Sequence, residues 1–197
     1  MAQHALFQHP NWIFDMDGTL TISKHDFDAI RKELGLPFGQ PILEALDELP
    51  TEEAALLHIR LNEIELEIAK QSEPAAGAAE LLSHLTEQGA KLGILTRNNA
   101  INIEVTLKAA GLDGFFTPEN LLSRECAAPK PAPDGILKLL SQWQAKPNNA
   151  VMVGDYFHDL ASGRAAGTHT LYVDESGRFE FKSLADVCIQ SLPELFD

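Results

Sequence analysis

Two cysteines, Cys126 and Cys188, are all that the 197-residue chain contains. They stand far apart and in no metal-ligand spacing, so neither a disulfide framework nor a structural zinc is expected, and the pair fits a reducing compartment. Long apolar runs are missing too. None approaches the roughly eighteen residues of a membrane span, and Met1 to Pro10 offers histidines but no basic segment followed by an apolar one. A cytoplasmic protein with no membrane partner is the expectation. Positive charge is also scarce: 15 Lys and Arg face 29 Asp and Glu, for a formal charge of −14. Such a field repels nucleic-acid backbones and anionic lipid surfaces. A small phosphorylated partner stays compatible with it, because a metal ion and a few basic side chains invert the sign locally.

What is present is an ordinary globular composition, 45% hydrophobic and 22% charged, which excludes disorder and collagen-like repeats. A chain of this length buries roughly 70% of the surface its unfolded form exposes. One core domain with a small insertion is expected, as a monomer or weak homo-oligomer. Asn11 to Asp15 is a short apolar run that ends in acid and glycine, as a buried parallel strand does. Similar runs follow at Lys91 to Thr96, Ala150 to Asp155, Thr168 to Val173 and Asp186 to Ile189.

Between those runs lie helical patterns: Ala78, Leu81, Leu82 and Leu85 on one face, Ile101, Val105 and Ala109 on another, then Ile136, Leu137, Leu139 and Leu140. Gly89, Gly111 and Gly167 stand where these helices should end. Strands alternating with helices predict an α/β fold, a parallel sheet covered on both faces. Residues 22–72 break the rhythm with helical segments alone. The longest begins at Thr51, with Glu52, Glu53 and the following alanines giving a capped start, and has Leu57, Leu61, Ile64 and Ile68 on the packing face and Glu63, Glu65 and Glu67 mostly turned elsewhere. Residues 1–21 and 73–197 are therefore read as the core, and 22–72 as an inserted helical unit.

Asp15-Met16-Asp17-Gly18-Thr19 sets two carboxylates two residues apart where the first strand ends. If strand geometry persists to residue 17, both project to one side. The plainer alternative is a turn built from Asp and Gly. Open α/β sheets bind ligands at the carboxyl ends of their strands. A second acidic pair, Asp155 and Asp159 in Gly154-Asp155-Tyr156-Phe157-His158-Asp159, follows another buried run. Taken alone, these are a helix cap and a solvated first-turn acid. Four clustered carboxylates repel unless a hard cation sits among them, and oxygen-only ligands suit Mg2+. Thr96, with Arg97 and Asn98 leading into a helix, offers a hydroxyl and N–H groups for an anion, or an ordinary cap. Lys130 lies between Pro129 and Pro131, either aimed by the stiffened loop or simply solvated.

This order of DxDGT, Thr, Lys and GDxxxD, running across residues 12–159, resembles the four motifs of the haloacid dehalogenase superfamily. The insertion after the first motif resembles the helical cap of the subfamily that includes phosphoglycolate phosphatase and β-phosphoglucomutase. The resemblance implies a Rossmann-like core, bound Mg2+ and a small phosphorylated metabolite hydrolysed through an aspartyl-phosphate. It makes Asp15 the nucleophile and Asp17 the general acid and base. Thr96, Arg97, Asn98 and Lys130 would hold the phosphate; Asp15, the Asp17 carbonyl, Asp155 and Asp159 would hold the metal.

An acid at position 17 suits an alkoxide leaving group, not a halide, so phosphatase is expected over dehalogenase. A sugar phosphomutase using the same motifs is the alternative within that class, and a receiver-like phospho-switch the alternative outside it. Lys24, His25, Arg31, Lys32, His58 and Arg60 are the insertion's candidates for reading the substrate, with His25 and Arg31 ahead. His158 reads as a surface or packing residue. A short cap predicts an open site that accepts many small phosphate esters.

Overall fold

The computed structural model describes residues 5–196; Met1 to His4 of the expected core segment, and Asp197, lie outside them. Six strands, β1 (Asn11–Phe14), β2 (Lys91–Leu95), β3 (Leu121–Leu122), β4 (Ala150–Gly154), β5 (His169–Val173) and β6 (Val187–Ile189), form one sheet. Their order is β3-β2-β1-β4-β5-β6 and every neighbouring pair is parallel. This is the doubly wound order of a Rossmann-like core, with β1 flanked by β2 and β4 at the switch point. The flavodoxin-like order 2-1-3-4-5 of receiver domains differs from it by the two-residue edge strand β3.

The strands are short, nearly continuous apolar runs because both faces are covered. Trp12 and Phe14 of β1 point to one side and Ile13 to the other, all fully buried. The first side packs on Leu81 and Leu85 of α4 (Ala78–Glu87) and on Ile103 and Leu107 of α5 (Ala100–Ala109). The second packs on Ile136, Leu139 and Trp143 of α6 (Asp134–Trp143), with Ala166 of α7 (Phe157–Ala166) closing the same layer. α4, α5 and α7 end just before or at the expected glycines.

Two expectations for the helix faces are corrected. Ile101 is 66% exposed and Leu137 44% exposed; α5 instead buries Asn102, Ile103, Thr106 and Leu107. Strand β3 was not visible at all, since two residues carry no periodicity.

Between Thr21 and Pro74 the chain leaves the core and returns through two paired crossings. The Ile22 N–H donates to the Glu73 carbonyl at 3.0 Å and the Ala75 N–H to the Leu20 carbonyl at 2.9 Å. The intervening segment holds α1 (Phe27–Leu34), α2 (Ile42–Asp47) and α3 (Thr51–Ala69). Ile30, Leu34, Leu46 and Leu61 build a small core of their own here, separate from those of the sheet, with Leu57, Ile64 and Ile68 packed against it. α3 begins at Thr51, as expected, but Pro50 precedes it and no side chain caps the helix. Among the described residues, no helix is long and apolar enough to cross a membrane.

Candidate active site

β1 stops at Phe14, and the Asp15 N–H extends the ladder by one bond to the Val153 carbonyl at 2.9 Å. The chain then folds on itself. The Met16 carbonyl accepts from the N–H groups of Leu20 and Thr21 at 2.9 and 3.0 Å, and Gly18 takes φ +86°. A side chain at Gly18 would be strained by that angle, and its Cβ would run into the Asp155 carboxylate. A turn thus brings Asp15 and Asp17 to one cavity, rather than a continued strand. β4 ends similarly at Gly154, where bare backbone lets the Asp159 side chain lie directly against it.

Asp15, Asp155 and Asp159 converge so that one carboxylate oxygen from each lies within 4.8 Å of the others. Asp17 stands outside this group. Lys130, only 4% exposed, reaches into it and donates to Asp15 Oδ1 and Asp159 Oδ1, both at 2.6 Å. Asp159 Oδ2 also accepts from the Tyr156 N–H at 3.1 Å, tying the start of α7 to the cluster. Thr19 Oγ1 donates to Asp155 Oδ1 at 3.3 Å, which gives the final residue of the DxDGT stretch a positioning task.

Burial and mutual repulsion set the protonation states. Burial holds the Asp15 carboxyl well above the usual range, against the pull of Lys130. Burial, reinforced by Asp159, pushes Asp155 up to about 7. Burial works against the charge on Lys130, but the carboxylates of Asp15 and Asp159 outweigh it and raise its pKa. Asp17 is raised by burial too, with His25 and Asn98 opposing. A cluster that strains toward protonation when alone is one a hard cation would relieve. The donor set, all oxygen, fits Mg2+.

The Asn98 amide donates to Asp17 Oδ2, while the Asn98 N–H donates to Thr96 Oγ1 at 3.2 Å. Thr96 itself is 5% exposed at the end of β2. The N-terminus of α5 is closed by Asn99, whose side chain accepts from the Asn102 N–H at 2.9 Å. Arg97 lines the cavity, yet its guanidinium donates to Glu44 Oε1 of α2 at 2.6 Å.

Of the six insertion candidates, only His25 and Arg31 line the cavity, which has a volume of about 420 Å³. His25 Nδ1 lies 4.0 Å from Asp17 Oδ1. Lys24 pairs with Glu73 beside the crossings, and Arg60 pairs with Glu33 and Glu63 on the outer surface. Lys32 and His58 lie off the cavity wall. His158 does line it, and the Nδ1 atoms of His25 and His158 are buried without a hydrogen-bond partner.

Three residues of the site region escaped the sequence reading. Glu65 of α3 turns inward to meet Arg124, at 3.3 Å, and the two side chains are only 12% and 13% exposed. Asn62 accepts from Arg124 at 2.7 Å. Burial raises the Glu65 pKa against the pull of Arg124. Spacing on α3 could not have found the pair, because Arg124 lies 59 residues away.

The pattern of haloacid dehalogenase-like hydrolases matches residues 12–173. An uncharacterized hydrolase of Saccharomyces cerevisiae is 33% identical over 192 residues, covering 94% of this chain and 88% of that protein. The pyrophosphatase PpaX of Bacillus cereus is 32% identical over 179 residues, covering 82% of this chain and 81% of its own. A solved structure from Haemophilus somnus, described as a predicted phosphoglycolate phosphatase, superposes with a TM-score of 0.77 at 20% identity, over 96% of this chain and 97% of that one. CbbY of Rhodobacter sphaeroides in complex with phosphate gives 0.73 at 20%, over 95% and 96%. On the match across the core motifs and the curated relatives, the chain belongs to the haloacid dehalogenase-like hydrolase family.

Proposed function

We propose that the protein is a Mg2+-dependent phosphatase of small phosphate monoesters that works through an aspartyl-phosphate on Asp15. The observation that carries this reading is the division of labour among the acids. Asp15, Asp155 and Asp159 gather around one point with Lys130. Asp17 sits apart, biased toward holding a proton.

Asp15 attacks phosphorus, the bond to the ester oxygen breaks, and Asp17 gives its proton to the departing alkoxide. In the second half Asp17 takes a proton from water, which attacks the phosphoryl group, releases inorganic phosphate and restores Asp15. Asn98 holds Asp17 at its other oxygen. Lys130 keeps Asp15 aimed and, with Thr96, is placed to meet charge on the equatorial oxygens. Asp15, Asp155 and the Asp17 carbonyl would hold Mg2+, with Asp159 nearby or through water. Bound there, the ion neutralises the repulsion between an anionic nucleophile and an anionic phosphoryl group.

The segment 22–72 acts as a cap, anchored to the core by Arg97–Glu44 and Arg124–Glu65. The free thiols of Cys126 and Cys188 support residence in a reducing compartment such as the cytoplasm. Incubation with p-nitrophenyl phosphate and Mg2+ tests the reading. Many turnovers, abolished by Asp15→Asn, are expected; release no greater than the enzyme concentration contradicts it.

A further inference from the structure

The chemistry-bearing end of the cavity accounts for one phosphoryl group, and the rest of its wall must accept whatever that group is attached to. Among the described residues, three permanent cations line the cavity: Arg31, Arg97 and Lys130. Each is already engaged. Lys130 is held between Asp15 and Asp159. Arg31 donates to the Gln40 carbonyl at 2.7 Å and to Asp28 Oδ1 at 2.9 Å, and its side chain is only 14% exposed. Arg97 is bound to Glu44. Arg124, against the lining residue Glu65, is taken up by Glu65 and Asn62.

Negative charge points the other way. Outside the cluster around Lys130, Glu65 lines the cavity beside its partner Arg124, and Asp17 lines it as the proposed proton donor. Phe27, Pro41, Ile42, Leu43 and Leu61 supply an apolar wall. The polar atoms left over come from Ser23, His25, Tyr156 and His158, which are hydroxyls and imidazoles rather than fixed cations.

We infer that the site selects monoesters whose leaving group carries no negative charge of its own, a hydroxylated or apolar alcohol, and discriminates against leaving groups bearing a carboxylate or a second phosphate. The inference rests on the phosphatase reading for the phosphoryl end and concerns only the remainder of the substrate. A second anion in this cavity would meet Glu65 on the wall of a partly dry site, where Coulomb repulsion is weakly screened. It would also have to displace an internal carboxylate to obtain a cation.

A matched pair tests this: glycerol 3-phosphate and 3-phosphoglycerate, which differ by a hydroxymethyl group against a carboxylate, with pyrophosphate as a third probe. With the Mg2+-loaded protein, kcat/KM for glycerol 3-phosphate is expected to exceed that of the other two by about tenfold or more. Glu44→Gln, which frees Arg97 from a half-exposed partner, is expected to narrow the ratio. Equal or reversed preference overturns the inference, as does a ratio that Glu44→Gln widens. Binding of the same probes to Mg2+-loaded Asp15→Asn by calorimetry reads the preference without turnover. If p-nitrophenyl phosphate is not turned over by the native protein, the phosphatase reading fails, yet tighter binding of glycerol 3-phosphate still supports the charge selection. Tighter binding of 3-phosphoglycerate, or binding of neither, overturns it.

Discussion

The Lys130 ammonium sits 2.6 Å from Asp15 Oδ1, although 115 residues of chain separate them, and it is nearly sealed from solvent. Two buried carboxylates share this one cation, so the folded core cannot form without bringing the pieces of the site together. Breaking one partner of such a group is expensive because the others stay buried.

Lys130→Met should therefore cost stability as well as catalysis. Removing the cation leaves Asp15 and Asp159 facing each other, and an unfolding free energy lower by about 3–5 kcal/mol is expected in metal-free protein. Denaturant titration reads it. The loss should shrink as pH falls, because protonation of Asp15, whose pKa burial already raises, relieves the repulsion; a loss independent of pH contradicts the assignment.

Asp17→Asn should separate the two halves of the proposed reaction. A p-nitrophenolate leaves without a proton, so phosphorylation of Asp15 should survive while its hydrolysis loses its base. Rapid-mixing kinetics should show a burst near one equivalent followed by a steady state slowed by about 10²–10⁴. With an alkyl ester, whose leaving group needs the proton, the burst should vanish. A burst of equal size with both esters would remove Asp17 from the acid role.

Metal-free protein should respond to pH through Asp155. Its folded pKa of about 7 lies above the ordinary carboxylate value of 3.8, so between those values the folded state holds more protons than the unfolded. The stability contribution of this group then falls as pH rises through that window. Mg2+ must displace the proton, and its apparent affinity should drop by about tenfold per pH unit below 7. Thermal shifts with and without Mg2+ across pH 5 to 8 check both slopes; a metal-induced shift that grows toward low pH is the contrary result.

Gly18→Ala tests the turn that carries Asp17. The new Cβ is strained at φ +86° and meets the Asp155 carboxylate. A loss of about 1 kcal/mol or more is expected, together with weaker stabilisation by Mg2+. If the variant keeps full Mg2+-dependent stabilisation, the proximity of Gly18 and Asp155 is not what positions the acid.

Much of this was legible because the chemistry is concentrated in short stretches. Asp15, Thr96 and Asp155 each directly follow an apolar run that becomes a strand, and parallel-sheet topology brings such strand ends together; Lys130 is marked only by its flanking prolines and Asp159 by its spacing from Asp155. Contacts across the insertion were not legible. Glu65 reads as a solvated helix acid until Arg124 is seen against it. The face of α5 was misread for the same reason: Asn102, 2% exposed, is buried because its amide donates to Glu65 at 3.3 Å. Periodicity counts apolar residues and is blind to polar groups buried by partnership.

The claim on which the rest depends is that Asp15 becomes transiently phosphorylated. Quenching the reaction in acid during steady-state turnover of a phosphate ester, reducing with borohydride and sequencing peptides by mass spectrometry tests it directly. Reduction of an acyl phosphate should convert Asp15, and no other acid, to homoserine in the native protein, with none in Asp15→Asn. Turnover that persists while Asp15 stays unmodified, or label found on Asp17, Asp155 or Asp159 instead, would contradict the account.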